Sequence, residues 1–366
     1  MGVTASSAQV VSARAKVGAA ERRRRLCVLS EDLSGAPDEG VKNFALALAR
    51  ALAHAHDTAV LATEGPTEGP GAPPGVRLVR APRTFLSAGL CAALRQQRPE
   101  VLFYVARAST TLWSFARGWV LKRYCPWAVV VLLGLQTRLH GWLQRRIIRH
   151  LAPDVVAVQS PAGHRYLAAL GCAAELVPSG VDIETFRPVE PERRRALRAE
   201  YGLEPNAPVV LHVGHLQAGR GVGVLAELAA RGVGQVVLVA SSSTAQEAAL
   251  AEELRRAGVT VVATYQPHVE HFYQLADCYV FPVACSENSI DAPLSVLEAC
   301  ACDLPVVSTR FGGLPRLFGA ADRAGLTFVD TPAELVEATV RRCQCAPPSG
   351  AAGTRALALP YAWEAV

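Results

Sequence analysis

The stretch that most restricts the fold runs from Asp277 to Pro315, DCYVFPVACSENSIDAPLSVLEACACDLPVVSTRFGGLP. Cys278 to Val283 is an apolar run of strand length, Ser286 to Ala292 is polar, Pro293 to Cys302 has helical spacing, and Pro305 to Ser308 is apolar again. This order predicts strand, loop, helix, strand, the unit of a doubly wound parallel sheet. Proline has no N–H to lose and a φ already suited to a helix, which predicts Pro293 as the first helical residue. The amides of Leu294, Ser295 and Val296 would then lack partners within the helix, and an anion can accept from them. Asp291 stands seven positions before Glu298, close to two helical turns, so the spacing puts both carboxylates roughly on one face. A phosphate beside hydroxyl-accepting carboxylates describes a nucleotide sugar. The ordinary alternative is a favourable charge at a helix start and a solvated surface glutamate.

Upstream, strand and helix alternate. Leu26 to Leu29 reads as a strand, Ser30 to Gly40 as a glycine-containing loop and Val41 to Ala53 as a helix, the place where doubly wound domains approach a ligand. Glu64 to Gly75 is a Pro/Gly-rich connection, Val101 to Val105, Ala128 to Leu133 and Val155 to Val158 read as strands, and Leu139 to His150 as a helix. Leu176 to Pro188, LVPSGVDIETFRP, suits a turn between two domains. A second sheet opens at Val209 to Val213, followed by Gly214 to Gly221, GHLQAGRG, whose amides, Arg220 and His215 would suit a diphosphate. An exposed turn with an incidental arginine competes with that reading. The expected organisation is a leader over residues 1–25, a Rossmann-like domain over 26–180 and a second over 181–366. No G-x-G-x-x-G follows either opening strand, which argues against a dinucleotide dehydrogenase.

At 366 residues with 51% hydrophobic and 19% charged side chains, the chain can bury two cores and is no disordered polymer. The segment from Met1 to Ala20 lacks the apolar core of a secretion signal, and the run Ala128 to Leu135 is far too short to cross a bilayer. Of ten cysteines the close pairs are Cys300/Cys302 and Cys343/Cys345, without CxxC spacing, so the expectation is free thiols in a reducing cytoplasm and no zinc. Charge is lopsided: residues 1–180 carry 22 Lys+Arg against 11 Asp+Glu, or +11, and residues 181–366 carry 15 against 21, or −6. The basic half should attract an anionic surface or acceptor. Within it, Trp113, Phe115, Trp119, Lys122 and Arg123 precede Trp142, Arg145, Arg146, Ile147, Ile148 and Arg149. The preferred expectation is two surface helices with buried tryptophans and solvated arginines; the other is peripheral contact with an anionic membrane or a lipid phosphate.

The series VPSGVDIETFRP, GHLQAGRG, ADCYVFP and APLSVLEACACDLPVVSTRFGGLP resembles the retaining glycosyltransferases of the GT-B class known as family 4, or glycosyl transferases group 1. The resemblance covers Val155 to Asp330 closely and Leu26 to Ala152 by element order. It implies two Rossmann-like domains across a cleft, the first taking the acceptor and the second a nucleoside diphosphate sugar. By position, Glu298 would accept ribose hydroxyls, Leu294 and Ser295 would offer amides to the diphosphate, and Arg220 and His215 would stand beside it. Gly40 matches the loop that closes over the donor, and Gly214 and Pro293 border the same site. The first acid of the family's glutamate pair falls at Ile290, with Asp291 or Glu287 as substitutes. The implied catalytic set is Asp291, Glu298 and Arg220, with neither metal nor cofactor. Asp38, Glu39, Gln136 and His140 are candidates for a base, the last two on the acceptor side. The family continues into a final helix beyond the YAWE stretch at Tyr361 to Glu364, a helix not expected here. The implied reaction is transfer of a hexose-like unit to an acceptor hydroxyl of a lipid, polysaccharide or small molecule, with retention. An inactive relative that binds a nucleotide sugar or partner, or a sugar-nucleotide epimerase, are the alternatives.

Overall fold

The computed structural model describes residues 22–65, 75–107, 109–319, 322–323, 325–344 and 353–366. Most of the expected leader, the proline-rich part of the connection before Gly75, and Cys345 lie outside these residues. The valine-rich runs are buried on both faces, as parallel strands must be when helices cover each side of the sheet. The first sheet comprises β1 (Arg25–Asp32), β2 (Asp57–Glu64), β3 (Val76–Leu78), β4 (Val101–Val105), β5 (Val129–Gly134), β6 (Val155–Val158) and β7 (Ala174–Leu176). Its order is β3-β2-β1-β4-β5-β6-β7, with every pairing parallel. Helix α1 (Gly40–Ala55) covers one face through Phe44, Ala45, Leu46 and Ala49. The other face is covered by α2 (Ala88–Gln97), α3 (Leu112–Tyr124), α4 (Trp142–Leu151) and α5 (Pro161–Ala169), through Leu90, Leu94, Phe115, Leu121, Ile148 and Leu167.

The second sheet comprises β8 (Val209–Gly214), β9 (Gln235–Ala240), β10 (Val259–Val262), β11 (Cys278–Phe281), β12 (Val306–Thr309) and β13 (Leu326–Val329), again all parallel, in the order β10-β9-β8-β11-β12-β13. On one face lie α6 (Pro191–Glu200), α9 (Glu270–Leu275), α10 (Leu294–Ala301), α11 (Leu314–Phe318) and α13 (Arg355–Ala358); on the other lie α7 (Val224–Ala230), α8 (Ala248–Arg256) and α12 (Pro332–Gln344). Each strand order reverses once, between β1 and β4 and between β8 and β11. At such a switch point the loops leaving the strand ends diverge and open a crevice. The loops after β1, β4, β8 and β11 therefore open towards this crevice.

A hydrogen-bonded seam joins the lobes on one side of this crevice. The Asp291 amide donates to the Leu135 carbonyl (2.7 Å), Gln136 Nε2 to the Ser289 carbonyl (2.9 Å) and the Ala292 amide to Gln159 Oε1 (3.1 Å). The segment after α13 adds a second tie. The Val181 amide donates to the Tyr361 carbonyl (2.8 Å), the Trp363 amide returns to the Val181 carbonyl (3.2 Å), and the Trp363 ring meets Phe44 of α1 edge-on at 5.5 Å.

Two expectations are corrected. Pro293 is not the first helical residue but the cap before it, with ψ of 122°, and the helix starts at Leu294. The aromatic residues of α3 and α4 divide differently from the expected pattern: Phe115 is fully buried, whereas Trp113 is 61% and Trp142 71% exposed. Among the described residues the cysteines are free thiols, and no helix is long and apolar enough to cross a membrane.

Candidate active site

Between the lobes, at the switch points of both sheets, lies a cavity of about 610 Å³. Gly40, Gln136, Gly214, His215, Arg220, Glu287, Pro293, Leu294, Ser295 and Glu298, all expected from the sequence, line it. Asp291 and His140 do not.

The loop after β8 positions the cation. Its last turn is a 3₁₀ helix, Ala218–Arg220, ended by Gly221 at φ 72°, where a Cβ would come within 2.8 Å of the Pro282 carbonyl. Glycine alone tolerates that backbone and that approach, so the turn holds Arg220 in place. The guanidinium is partly buried and forms no ion pair among the described residues; its Nε has no hydrogen-bond partner there. Burial pulls its pKa down to about 10, partly offset by Tyr279 and Glu39, and it stays cationic at neutral pH. Arg220 Nη2 donates to His215 Nδ1 at 2.9 Å. Burial, with the Arg220 charge, lowers His215 to about 4, so the imidazole is neutral and accepts at Nδ1. That tautomer leaves an N–H on Nε2. His215 thus orients the arginine while keeping a donor of its own.

Opposite stands the start of α10. As its first two residues, Leu294 and Ser295 have amides without carbonyls one turn back, and both line the cavity. Glu298, one turn further on, accepts from the Tyr273 hydroxyl at 2.7 Å. Burial raises its pKa to about 7, against the opposing effect of that hydrogen bond. Tyr273 had no signal in the sequence beyond its place in an apolar helix. Helix α1 also starts at the cavity, where Glu39 caps it; burial raises the Glu39 carboxyl despite Lys42 3.8 Å away.

The remaining expected residues are engaged elsewhere. Asp291 is 3% exposed, and its Oδ2 accepts from Ser160 Oγ (2.7 Å) and Thr137 Oγ1 (3.1 Å) of the first lobe. Burial raises its pKa, tempered by those bonds. Its carboxylate serves the interlobe seam and does not share a face with Glu298. His140 is sealed in the first lobe: Nε2 donates to the Thr110 carbonyl at 2.7 Å and Nδ1 accepts from Tyr166 at 3.0 Å, leaving no nitrogen for substrate. Asp38 lines the cavity, but its oxygens accept from the Ser242 amide and hydroxyl, both at 2.6 Å, and from Ser241 Oγ and the Ser243 amide. Burial alone would raise Asp38; these bonds outweigh it and lower the pKa. Asp38 is therefore an ionised clasp across the cavity mouth. Arg107, Asn43, Gln266 and Trp363 also line the cavity, and sequence spacing singled out none of them as binding residues.

Residues 207–344 match the family model for Glycosyl transferases group 1. The chain is 34% identical over 230 residues to a D-inositol 3-phosphate glycosyltransferase of Segniliparus rotundus, covering 58% of this chain and 49% of that one. It is 30% identical over 220 residues to an alpha-maltose-1-phosphate synthase of Mycolicibacterium smegmatis, covering 55% and 54%. The chain thus spans about half the length of these relatives. In fold it is similar to sucrose-phosphate synthase from Thermosynechococcus elongatus (TM-score 0.72, 19% identity, 93% of this chain and 96% of that one). It is also similar to Anabaena HepE in complex with UDP-glucose (TM-score 0.67, 16% identity, 92% and 96%).

Proposed function

We propose that this chain, of GT-B fold and with residues 207–344 matching the Glycosyl transferases group 1 model, is a glycosyltransferase that moves a hexose-like sugar from a nucleoside diphosphate sugar to an acceptor hydroxyl, with retention. The observation that carries this reading is Arg220, a partly buried cation that forms no ion pair among the described residues, set in one cavity with the α10 amides and Glu298. An uncompensated cation out of water favours an anion, and a diphosphate also suits the free amides at a helix start. His215 would add its Nε2–H. Glu298 would accept two ribose hydroxyls, which its ionised form does best. Glu287 is the carboxylate of the β11–α10 loop left to face the donor sugar, since Asp291 is held by Ser160 and Thr137. The complex of Anabaena HepE with UDP-glucose supports a donor of this class.

In the reaction the bond from the anomeric carbon to the diphosphate oxygen breaks and the acceptor oxygen bonds to the same face. The leaving phosphate takes the acceptor proton. Charge that develops on the diphosphate is met by Arg220, His215 and the α10 amides, which are fixed before the reaction starts. No metal is required by this account.

A panel of nucleoside diphosphate sugars, added to the protein in thermal unfolding and assayed for hydrolysis with EDTA present, tests it. One sugar nucleotide should raise Tm and be slowly hydrolysed, and Arg220→Ala should lower turnover by about 10²–10³. If no nucleotide sugar shifts Tm or is consumed, the reading fails. Turnover without acceptor that gives an isomeric sugar nucleotide would instead support an epimerase.

A further inference from the structure

Helix α4 is turned inside out for a surface helix. Of its ten residues only Ile148 is buried, while Trp142 (71% exposed), Leu143 (55%) and Ile147 (38%) face outward, with Leu139 (78%) just before them. Residues 142 and 146, and 143 and 147, are one turn apart, so the four side chains form one outward stripe. Arg146 lies over the Trp142 ring at 5.7 Å. Helix α4 itself carries Arg145, Arg146 and Arg149 and no Asp or Glu, whereas Arg117 and Lys122 of α3 are already paired with Glu31 and Asp154. A face that is both apolar and purely cationic costs free energy in water, and an interface that is apolar below and anionic above relieves both penalties.

We propose that the outward stripe of α4, with Leu139 before it, docks the first domain on the surface of an anionic lipid bilayer. Trp142 and Leu143 insert at headgroup depth, where indole is favoured, and Arg146 and Arg149 meet lipid phosphates. A second copy of the chain is a poor occupant, because the same cations would face each other. The surface adjoins the cavity: α4 follows β5 at the sheet edge that carries the site, and Gln136 and Arg138 line the cavity immediately before Leu139. Resting on the glycosyl-transfer reading, this adds that the acceptor hydroxyl is presented at the bilayer. The docking itself does not depend on that reading.

The test uses the full chain, without nucleotide sugar, in flotation with phosphatidylglycerol or phosphatidylcholine vesicles at low salt. Binding is expected to phosphatidylglycerol only and to weaken with added salt. Arg146→Gln and Arg149→Gln should each weaken it about fivefold. The double variant Trp142→Ser/Leu143→Ser should weaken it at least about tenfold. These side chains are exposed, so unchanged Tm shows that the variants fold. The proposal is overturned if the parent stays unbound to phosphatidylglycerol. It is equally overturned if the double variant binds as well as the parent, or if the stripe instead mediates a dimer that the double variant dissolves without vesicles. Success here with no response to nucleotide sugars would sink only the transferase reading, and the reverse outcome would sink only the docking.

Discussion

Glu298 has lost most of its water and keeps one hydroxyl donor, Tyr273, so its proton becomes a readable quantity. With a folded pKa raised to about 7, the group contributes stability fully present below its unfolded value and lost as pH rises through about 7. Donor binding has the opposite sign, because hydroxyls are accepted by the ionised form. Dissociation constants for the sugar nucleotide should therefore rise by up to about tenfold for each pH unit below about 7. Glu298→Gln should bind more weakly at pH 8 and lose most of that slope; titration at pH 6, 7 and 8 measures both. Asp291 makes a contrasting case. Asp291→Ala leaves the Ser160 and Thr137 hydroxyls without their acceptor and should cost about 1–3 kcal/mol of stability, read in denaturant unfolding. A loss of turnover beyond a hundredfold with unchanged unfolding would instead place its carboxylate on the substrate. Glu298 was legible in the sequence because it lies inside a helix, where spacing fixes direction. Asp291 was not, because helical phase has no meaning before Leu294: the backbone is already extended at Pro293, and its ψ of 122° turns the preceding loop towards the first lobe.

Elements were legible wherever an apolar run was short and bounded, as at Val101–Val105, Val155–Val158 and Val259–Val262, whose limits as strands match their limits as sequence. They were less so where a strand continues into its own functional loop, as β1 does to Asp32, since the polar end of such a strand is paired by backbone and carries no apolar signal. The tryptophans of α3 and α4 misled for a related reason: hydrophobicity predicts burial only when another element is there to supply the cover. Gly180 shows what a turn signal conceals. Sequence marks its segment, Leu176 to Pro188, as a turn between two domains, whereas the need for glycine at 180 is steric, since a Cβ there would fall 2.3 Å from Cδ2 of Trp363. Gly180→Ala should displace that ring from Phe44 and cost about 1–3 kcal/mol in unfolding. Combined with Trp363→Ala the two losses should be clearly less than additive, because removal of the ring removes the clash. Full additivity would mean that Gly180 is required by its backbone and not by the ring above it.

For the molecule as a whole, the cavity is held shut from two sides by bonds of different character. The seam at 289–292 is built largely from backbone groups and buried side chains, so it behaves as a hinge. Apart from the Trp363–Phe44 contact, the closure across the mouth is made by one residue, Asp38, which accepts from Ser241, Ser242 and Ser243 just beyond β9. Hydrogen bonds to a charged acceptor contribute about 1.5–3 kcal/mol each when well formed, and these are partly exposed, which discounts them. Asp38→Ala should thus shift the lobes towards an open state without unfolding either, because neither core uses Asp38. Amide exchange at Ser242 and Ser243 should then accelerate strongly, while the Asp291 and Ala292 amides stay protected. Donor affinity should fall by the fraction of molecules left closed. The signature is this asymmetry: faster exchange confined to the serine loop marks a one-sided clasp, and equal loss of protection at Asp291 would show that the two lobes separate as a unit and that the seam is no hinge.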